Sequence, residues 1–120
     1  ERYSDAIEFF QNVQEQNPTD SDVCYFLGKV YLIGKNVSSA EQSFAEGISR
    51  DKDNPLNYVG MAGISLLKKD SLAVEKYIEI ILDLAGKKAY PILELSEIYV
   101  IVKGTNFIRA IELLNNCEII

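Results

Sequence analysis

The chain contains no histidine and no tryptophan, and its only cysteines are Cys24 and Cys117. Without histidine, the usual Cys/His zinc sites and the hydrolase triads that need an imidazole base are excluded. The cysteines do not form a Cys-x-x-Cys motif. Glu94 and Glu97 have no third ligand nearby, which favours a solvated helix face over a site. We therefore expect no enzyme activity, no catalytic residue, no cofactor and no metal.

Positive charge and long apolar runs are also scarce. The chain has eighteen acidic and twelve basic residues, which give a net charge of -6 and a pI near 4.6. Phosphate backbones are poor partners for such a chain, so we expect no nucleic acid. The richest apolar run, residues 90–102, is interrupted by Glu94 and Glu97 and is shorter than the roughly 20 residues of a membrane span. We expect a soluble protein without direct membrane insertion.

The first residues already show helical periodicity, since apolar side chains recur through residues 2–13. This pattern indicates that the sequence starts within a longer protein. The compartment therefore stays open: cytoplasmic by default, and periplasmic or exported if a signal sequence precedes the fragment.

A repeat of about 34 residues runs through the chain. Four segments align on alanines that lie 34, 33 and 37 residues apart. A large apolar residue follows each alanine after four positions, which places both on one face of a helix. A third residue extends this stripe after three more positions. The aligned sets are Ala6, Phe10 and Val13; Ala40, Phe44 and Gly47; Ala73, Tyr77 and Ile80; and Ala110, Leu114 and Cys117.

Three further periodic segments lie between these helices. Each has a Leu or Met followed by a small residue, as in Leu27 and Gly28, and the small residue lets the next helix approach closely. We expect Phe44 to fill the gap beside Leu27 and Gly28. Pro, Asp and Asn in residues 17–22 and 51–55 are typical of breaks between helices.

These motifs resemble the tetratricopeptide repeat, whose pattern is W-x2-L-G-x2-Y, then A-x3-F, then P. Leu27, Gly28, Tyr31, Ala40 and Phe44 match it in type and spacing. The departures are the missing Trp, Ser65 in place of Tyr, one residue fewer in the second repeat's turn and about two more in the third's. The resemblance implies an all-α, right-handed superhelical solenoid of antiparallel helix pairs, cut from a longer array. Residues 1–120 would form a single domain, with the second helix of a truncated repeat at 1–16 and repeats at 21–50, 55–84 and 88–119.

A linear stack of helices would keep the two cysteines far apart. Cys24 and Cys117 lie five helices apart in it, and neighbouring helix axes are about 8 to 10 Å apart. A disulfide needs Cα atoms within about 7 Å, so we expect two free thiols.

The resemblance also implies a non-enzymatic protein-interaction scaffold. Members bind partners along the concave face, so an apolar or amphipathic peptide segment is the expected ligand. Lys29, Glu94 and Glu97 would set its orientation. Two alternatives stay open: a structural or oligomerisation segment whose groove is filled by its own protein or a second copy, as in a homo-oligomer, and a helical accessory domain of an enzyme or secretion assembly. The predicted partner-binding residues are Tyr25, Phe26, Lys29, Val59, Gly63, Leu66, Leu93, Glu94 and Glu97.

Overall fold

The computed structural model describes residues 2–104 and 108–117, and this part of the chain is helical without a β-strand. Consecutive helices are joined by short turns. Within these ranges the helices are α1 (Arg2–Gln16), α2 (Ser21–Ile33), α3 (Val37–Arg50), α4 (Pro55–Leu67), α5 (Ser71–Ala85), α6 (Tyr90–Lys103) and α7 (Ile108–Leu114).

Polar side chains define where four of the helices begin. Asp20, Asn36, Asn54 and Asp70 each accept a hydrogen bond from a backbone N–H in the first turn of the helix that follows. These bonds satisfy amides that have no partner inside the helix. Pro55, at the first position of α4, has no N–H to satisfy.

The helices pack as sequential pairs, α2 with α3, α4 with α5 and α6 with α7, and α1 packs against α2. We call α2, α4 and α6, the first helices of the pairs, the A helices. The A helices also contact one another: α4 touches both α2 and α6, and α2 reaches α6 directly. This all-α arrangement is the tetratricopeptide-like helical repeat that the sequence predicts.

The ring of Phe44 lies between two glycines. It is fully buried, and a Cβ atom at Gly28 of α2 or at Gly60 of α4 would overlap it. The predicted contact between Phe44 and Gly28 is therefore confirmed, and Gly60 adds a second bare backbone on the next A helix. One aromatic side chain thus fills the space where α2, α3 and α4 meet.

The buried stripe of α5 lies one residue later than the sequence alignment predicts. Val74, Ile78 and Ile81 are buried, whereas Ala73, Tyr77 and Ile80 are only partly so. Aligning on Val74 places it 34 residues after Ala40, so the turn that was predicted to lack a residue has its full length. The alignment on alanine was wrong here because the larger apolar groups of α5 carry the core contacts.

Both cysteines are free thiols, as predicted. Cys24 is fully buried in α2, and this burial raises the pKa of its thiol despite the opposing effects of Arg50 and Gln14. Cys117 is partly buried beyond α7. Packing therefore accounts for Cys24, and its thiolate form is disfavoured.

Candidate partner-binding surface

The face formed by the A helices was predicted to be a binding groove. Lys29, Gly63 and Glu97 occupy equivalent positions, 34 residues apart, in α2, α4 and α6. Because Gly63 has no side chain, Ile98 of α6 packs directly against its backbone, and Leu32 of α2 lies close by. The middle helix therefore leaves room for its two neighbours to meet.

A cluster of polar side chains joins α2 to α6 across this gap. The Tyr25 hydroxyl donates a 2.6 Å hydrogen bond to Glu94 Oε1, and Lys29 Nζ donates to the same oxygen at 2.9 Å. Lys29 Nζ also lies 2.6 Å from Glu97 Oε1. We call Tyr25, Lys29, Glu94 and Glu97 the polar cluster. It closes the centre of the predicted groove.

The electrostatics of the polar cluster follow from its burial. Desolvation raises the pKa of the Tyr25 phenol far above its usual range, and the hydrogen bond to the Glu94 carboxylate raises it further. Burial alone would lower the pKa of the Lys29 ammonium, but the hydrogen bonds to Glu97 and Glu94 outweigh that effect and raise it. The neutral phenol and the charged ammonium are therefore the stable forms.

The predicted partner-binding residues fall into three groups by exposure. Tyr25, Val59, Gly63 and Glu94 are buried. Glu94 was predicted to lie on a solvated helix face with a role in orienting a ligand, but it pairs with Tyr25 and Lys29 inside the protein. Partly buried residues are Phe26, Lys29 and Leu66, and the Phe26 ring stacks on Phe10 of α1 with centroids 6.2 Å apart. Leu93 and Glu97 are exposed.

One exposed part of this face is a stripe along α6, which we call the α6 stripe: Tyr90, Leu93, Glu97 and Val100. These residues recur at helical spacing on one side of the helix. Tyr90 is 49% exposed, Leu93 50% and Val100 41%. Because these apolar side chains lie together on one side of the helix, the stripe offers apolar contact area to another molecule.

Sequence reasoning did not find the polar cluster itself. Lys29 and Glu97 were assigned to a ligand rather than to each other. The sequence signal for this pair was that Lys29 and Glu97 occupy the same repeat position on either side of Gly63. A lysine and a carboxylate at the same position of alternate A helices can pair when the residue between them is small.

Over residues 2–104 and 108–117, no group of three or more Cys, Asp or Glu side chains is arranged to hold a metal ion. No described helix is long and apolar enough to cross a bilayer.

Helix pairs stacked through their first helices, with a partly exposed apolar face, define a helical repeat protein. Residues 1–61 match the tetratricopeptide repeat family. The chain belongs to this family, whose members are generally non-enzymatic modules for protein–protein interaction.

Two curated relatives have the same printed name. The chain is 34% identical over 85 residues to neutrophil cytosol factor 2 of Mus musculus and 33% identical over 85 residues to that of Homo sapiens. In both alignments these residues are 69% of this chain and 15% of the relative. The aligned region thus spans about 15% of the length of the curated relatives.

Proposed function

We propose that the protein is an interaction module that binds an apolar or amphipathic segment of a partner protein through the exposed part of its A-helix face. The observation that carries this proposal is the α6 stripe, where Tyr90 and Leu93 are each about half exposed on one side of a helix. Contact with a partner would remove this apolar surface from water, which is the main favourable term in association.

The polar cluster supports the site without offering much contact area. It holds α2 and α6 at a fixed separation, so the α6 stripe is presented on a rigid support. Glu97 belongs to both groups: its side chain is 55% exposed while one oxygen pairs with Lys29. We propose that Glu97 orients a partner that carries a basic or hydroxyl group beside its apolar residues.

The remaining predicted residues have supporting roles in this proposal. Phe26 and Leu66 extend the apolar surface at its partly buried edges, whereas Tyr25, Val59 and Gly63 form its floor. Half-exposed side chains gain only part of the roughly 1.5 to 3 kcal/mol of full burial, and association carries an ordering cost, so micromolar or weaker binding is expected.

The test uses matched charge substitutions on two helices. Leu93→Glu places a charge in the α6 stripe, and Leu72→Glu places one on α5, where Leu72 is 85% exposed. Peptides are first selected from a phage-displayed random library with the unmodified protein, and the affinities of the best binders are then measured for both variants. Leu93→Glu should weaken binding at least about tenfold while Leu72→Glu leaves it unchanged.

Three other outcomes would contradict the proposal. Equal loss in both variants would mean that the selected peptides bind through charge alone. Unchanged binding in Leu93→Glu would place the site elsewhere. If the unmodified protein sediments as a dimer and Leu93→Glu as a monomer, the stripe belongs to self-association, which is the alternative predicted from the sequence.

A further inference from the structure

The C-terminal ends of the A helices carry two rows of residues with a strict period of 34. Ile33, Leu67 and Ile101 form an apolar row, and Lys35, Lys69 and Lys103 form a basic row two positions later. Neither row belongs to the Leu-Gly-Tyr and Ala-Phe pattern by which the repeats align. Each helix pair therefore presents one apolar and one basic residue at the same edge of the molecule. This is the edge at which the chain turns from the first helix of a pair to the second.

Two residues of the apolar row, Leu67 and Ile101, line a pocket of about 260 Å³. Its wall combines residues from all three pairs, including Leu32 and Val37 from the first, Leu67 from the second and Ile101 from the third. This volume exceeds the roughly 150 Å³ cavity that accepts benzene. It is smaller than the roughly 300 to 1,000 Å³ of sites for drug-sized ligands. The apolar pocket thus has the size for one or two large side chains.

A second, more polar pocket has a volume of about 180 Å³. Leu66, Lys69 and Lys103 contribute to its wall. Leu66 directly precedes Leu67, and Lys103 directly follows Val102, which lines the apolar pocket. The same two helices, α4 and α6, therefore contribute to both pockets, with Lys35 at the apolar pocket and Lys69 and Lys103 at the polar one.

The three lysines of the basic row are exposed and free to bind. None of them makes an ion pair or side-chain hydrogen bond with a residue in the described ranges, whereas the neighbouring Lys68 pairs with Glu41 at 3.1 Å. Lys35 also lines the apolar pocket. The acid in the polar pocket, Asp70, already accepts a hydrogen bond from the Ala73 N–H.

The backbone at this edge is unusual as well. Lys35 and Lys69 have φ values of 63° and 59°, and they are the non-glycine residues with positive φ in the described ranges. A glycine is less strained in this conformation. Helix C-termini favour a nearby cation, which accounts for one charge per helix but not for the apolar pocket beside those charges.

We propose that the two pockets bind an acidic segment of a partner protein, with a large apolar side chain in the apolar pocket and flanking carboxylates on Lys35, Lys69 and Lys103. The charge of the surface selects this occupant, because a positive patch on a chain of net charge -6 steers an acidic ligand to one place. A second copy of the chain and an anionic membrane are the other possible occupants, and the test below distinguishes each of them from an acidic peptide. This site uses the opposite end of α6 from Tyr90 and Leu93, although Leu66 lies at an edge of both surfaces.

The test uses a synthetic probe, a fluorescein-labelled nonapeptide with one phenylalanine flanked on each side by two glutamates and completed with serines. Its binding is followed by fluorescence anisotropy. Leu67→Glu, at a residue 39% exposed, should weaken binding at least about tenfold. The triple variant Lys35→Gln, Lys69→Gln and Lys103→Gln should weaken it about tenfold and remove most of its salt dependence. These lysines are exposed, so this variant keeps its fold, as circular dichroism will check.

Matched controls separate this site from the other surface. Leu72→Glu on α5 should bind the probe as the unmodified protein does, and a probe with serine in place of phenylalanine should bind poorly. Loss in Leu93→Glu but not in Leu67→Glu would overturn this inference and leave the proposed function standing. The inference also fails if the probe does not bind, if the triple variant binds equally well, or if the basic row binds phosphatidylserine vesicles in preference to the peptide. Probe-independent dimerisation that Leu67→Glu abolishes would equally overturn it.

Discussion

The phenolic oxygen of Tyr25 lies 2.6 Å from Glu94 Oε1, a partner 69 residues further along the chain. This bond connects α2 to α6 across α4, and it ends on a carboxylate that is almost fully buried. A buried charge costs free energy unless hydrogen bonds and an opposite charge satisfy it, and here Tyr25 and Lys29 provide both. The contact thus stabilises the three A helices as one unit.

Removing the Tyr25 hydroxyl tests this role. Tyr25→Phe leaves Glu94 with one fewer donor in a buried site, so we expect the free energy of unfolding to fall by about 1 to 3 kcal/mol. Tyr90→Phe is the control, because Tyr90 is half exposed and its hydroxyl makes no hydrogen bond with a described residue. Urea melts that show the same loss for both variants would contradict the assigned role.

The polar cluster also predicts a loss of stability in alkaline solution. Burial and the Glu94 hydrogen bond raise the pKa of Tyr25 from 10.0, and the hydrogen bonds to Glu97 and Glu94 raise the pKa of Lys29 from 10.5 despite desolvation. A group whose folded-state pKa is raised contributes its stabilisation fully below the unfolded pKa and loses it as pH rises towards the folded value. Stability should therefore fall above about pH 10, by up to about 1.4 kcal/mol per pH unit for each group.

The measurement is the free energy of unfolding between neutral pH and the alkaline range. Tyr25→Phe removes one of the two groups, so its stability should decline less steeply above about pH 10 than that of the unmodified protein. An unchanged slope would show that Tyr25 does not carry the effect.

The position of the Phe44 ring between Gly28 and Gly60 predicts that the protein loses stability both when the ring is removed and when a side chain is added at Gly28. Phe44→Ala should cost about 3 to 5 kcal/mol by leaving a cavity. Gly28→Leu should cost at least about 1 to 3 kcal/mol by overpacking the site. Leu72→Ala, at an exposed position of α5, should stay within about 0.5 kcal/mol of the unmodified protein. Denaturant melts in which Phe44→Ala matches Leu72→Ala would disprove the packing.

The two thiols should differ in reactivity. Cys24 is fully buried with a raised thiol pKa, whereas Cys117 is partly exposed. Ellman's reagent should label Cys117 first, and Cys24 only after unfolding, because the thiolate is the reacting form and needs access. Cys117→Ser should remove the fast phase alone. A disulfide in the non-reduced monomer, detected by mass spectrometry, would be incompatible with the helix order.

The helix pairs and the contact between Phe44 and Gly28 could be predicted from the sequence because both depend on local spacing. A large residue four positions after a small one defines a face within a single helix, and the partner helix is the next one in the chain. Where the local signal was ambiguous, as in α5 with apolar residues at two adjacent registers, the alignment selected Ala73 although the core uses Val74.

The candidate site depended on contacts that a repeat period does not reveal. The period placed Tyr25, Val59 and Glu94 on one face of the A helices, but it carried no information on how far α2 and α6 stand apart. The bare backbone of Gly63 lets those helices meet, so Tyr25 and Glu94 become buried partners while the α6 stripe remains exposed. The sequence by itself determined the helices and their pairing through local periodicity. The tertiary structure decided which face is accessible, because burial depends on packing between residues far apart in the chain.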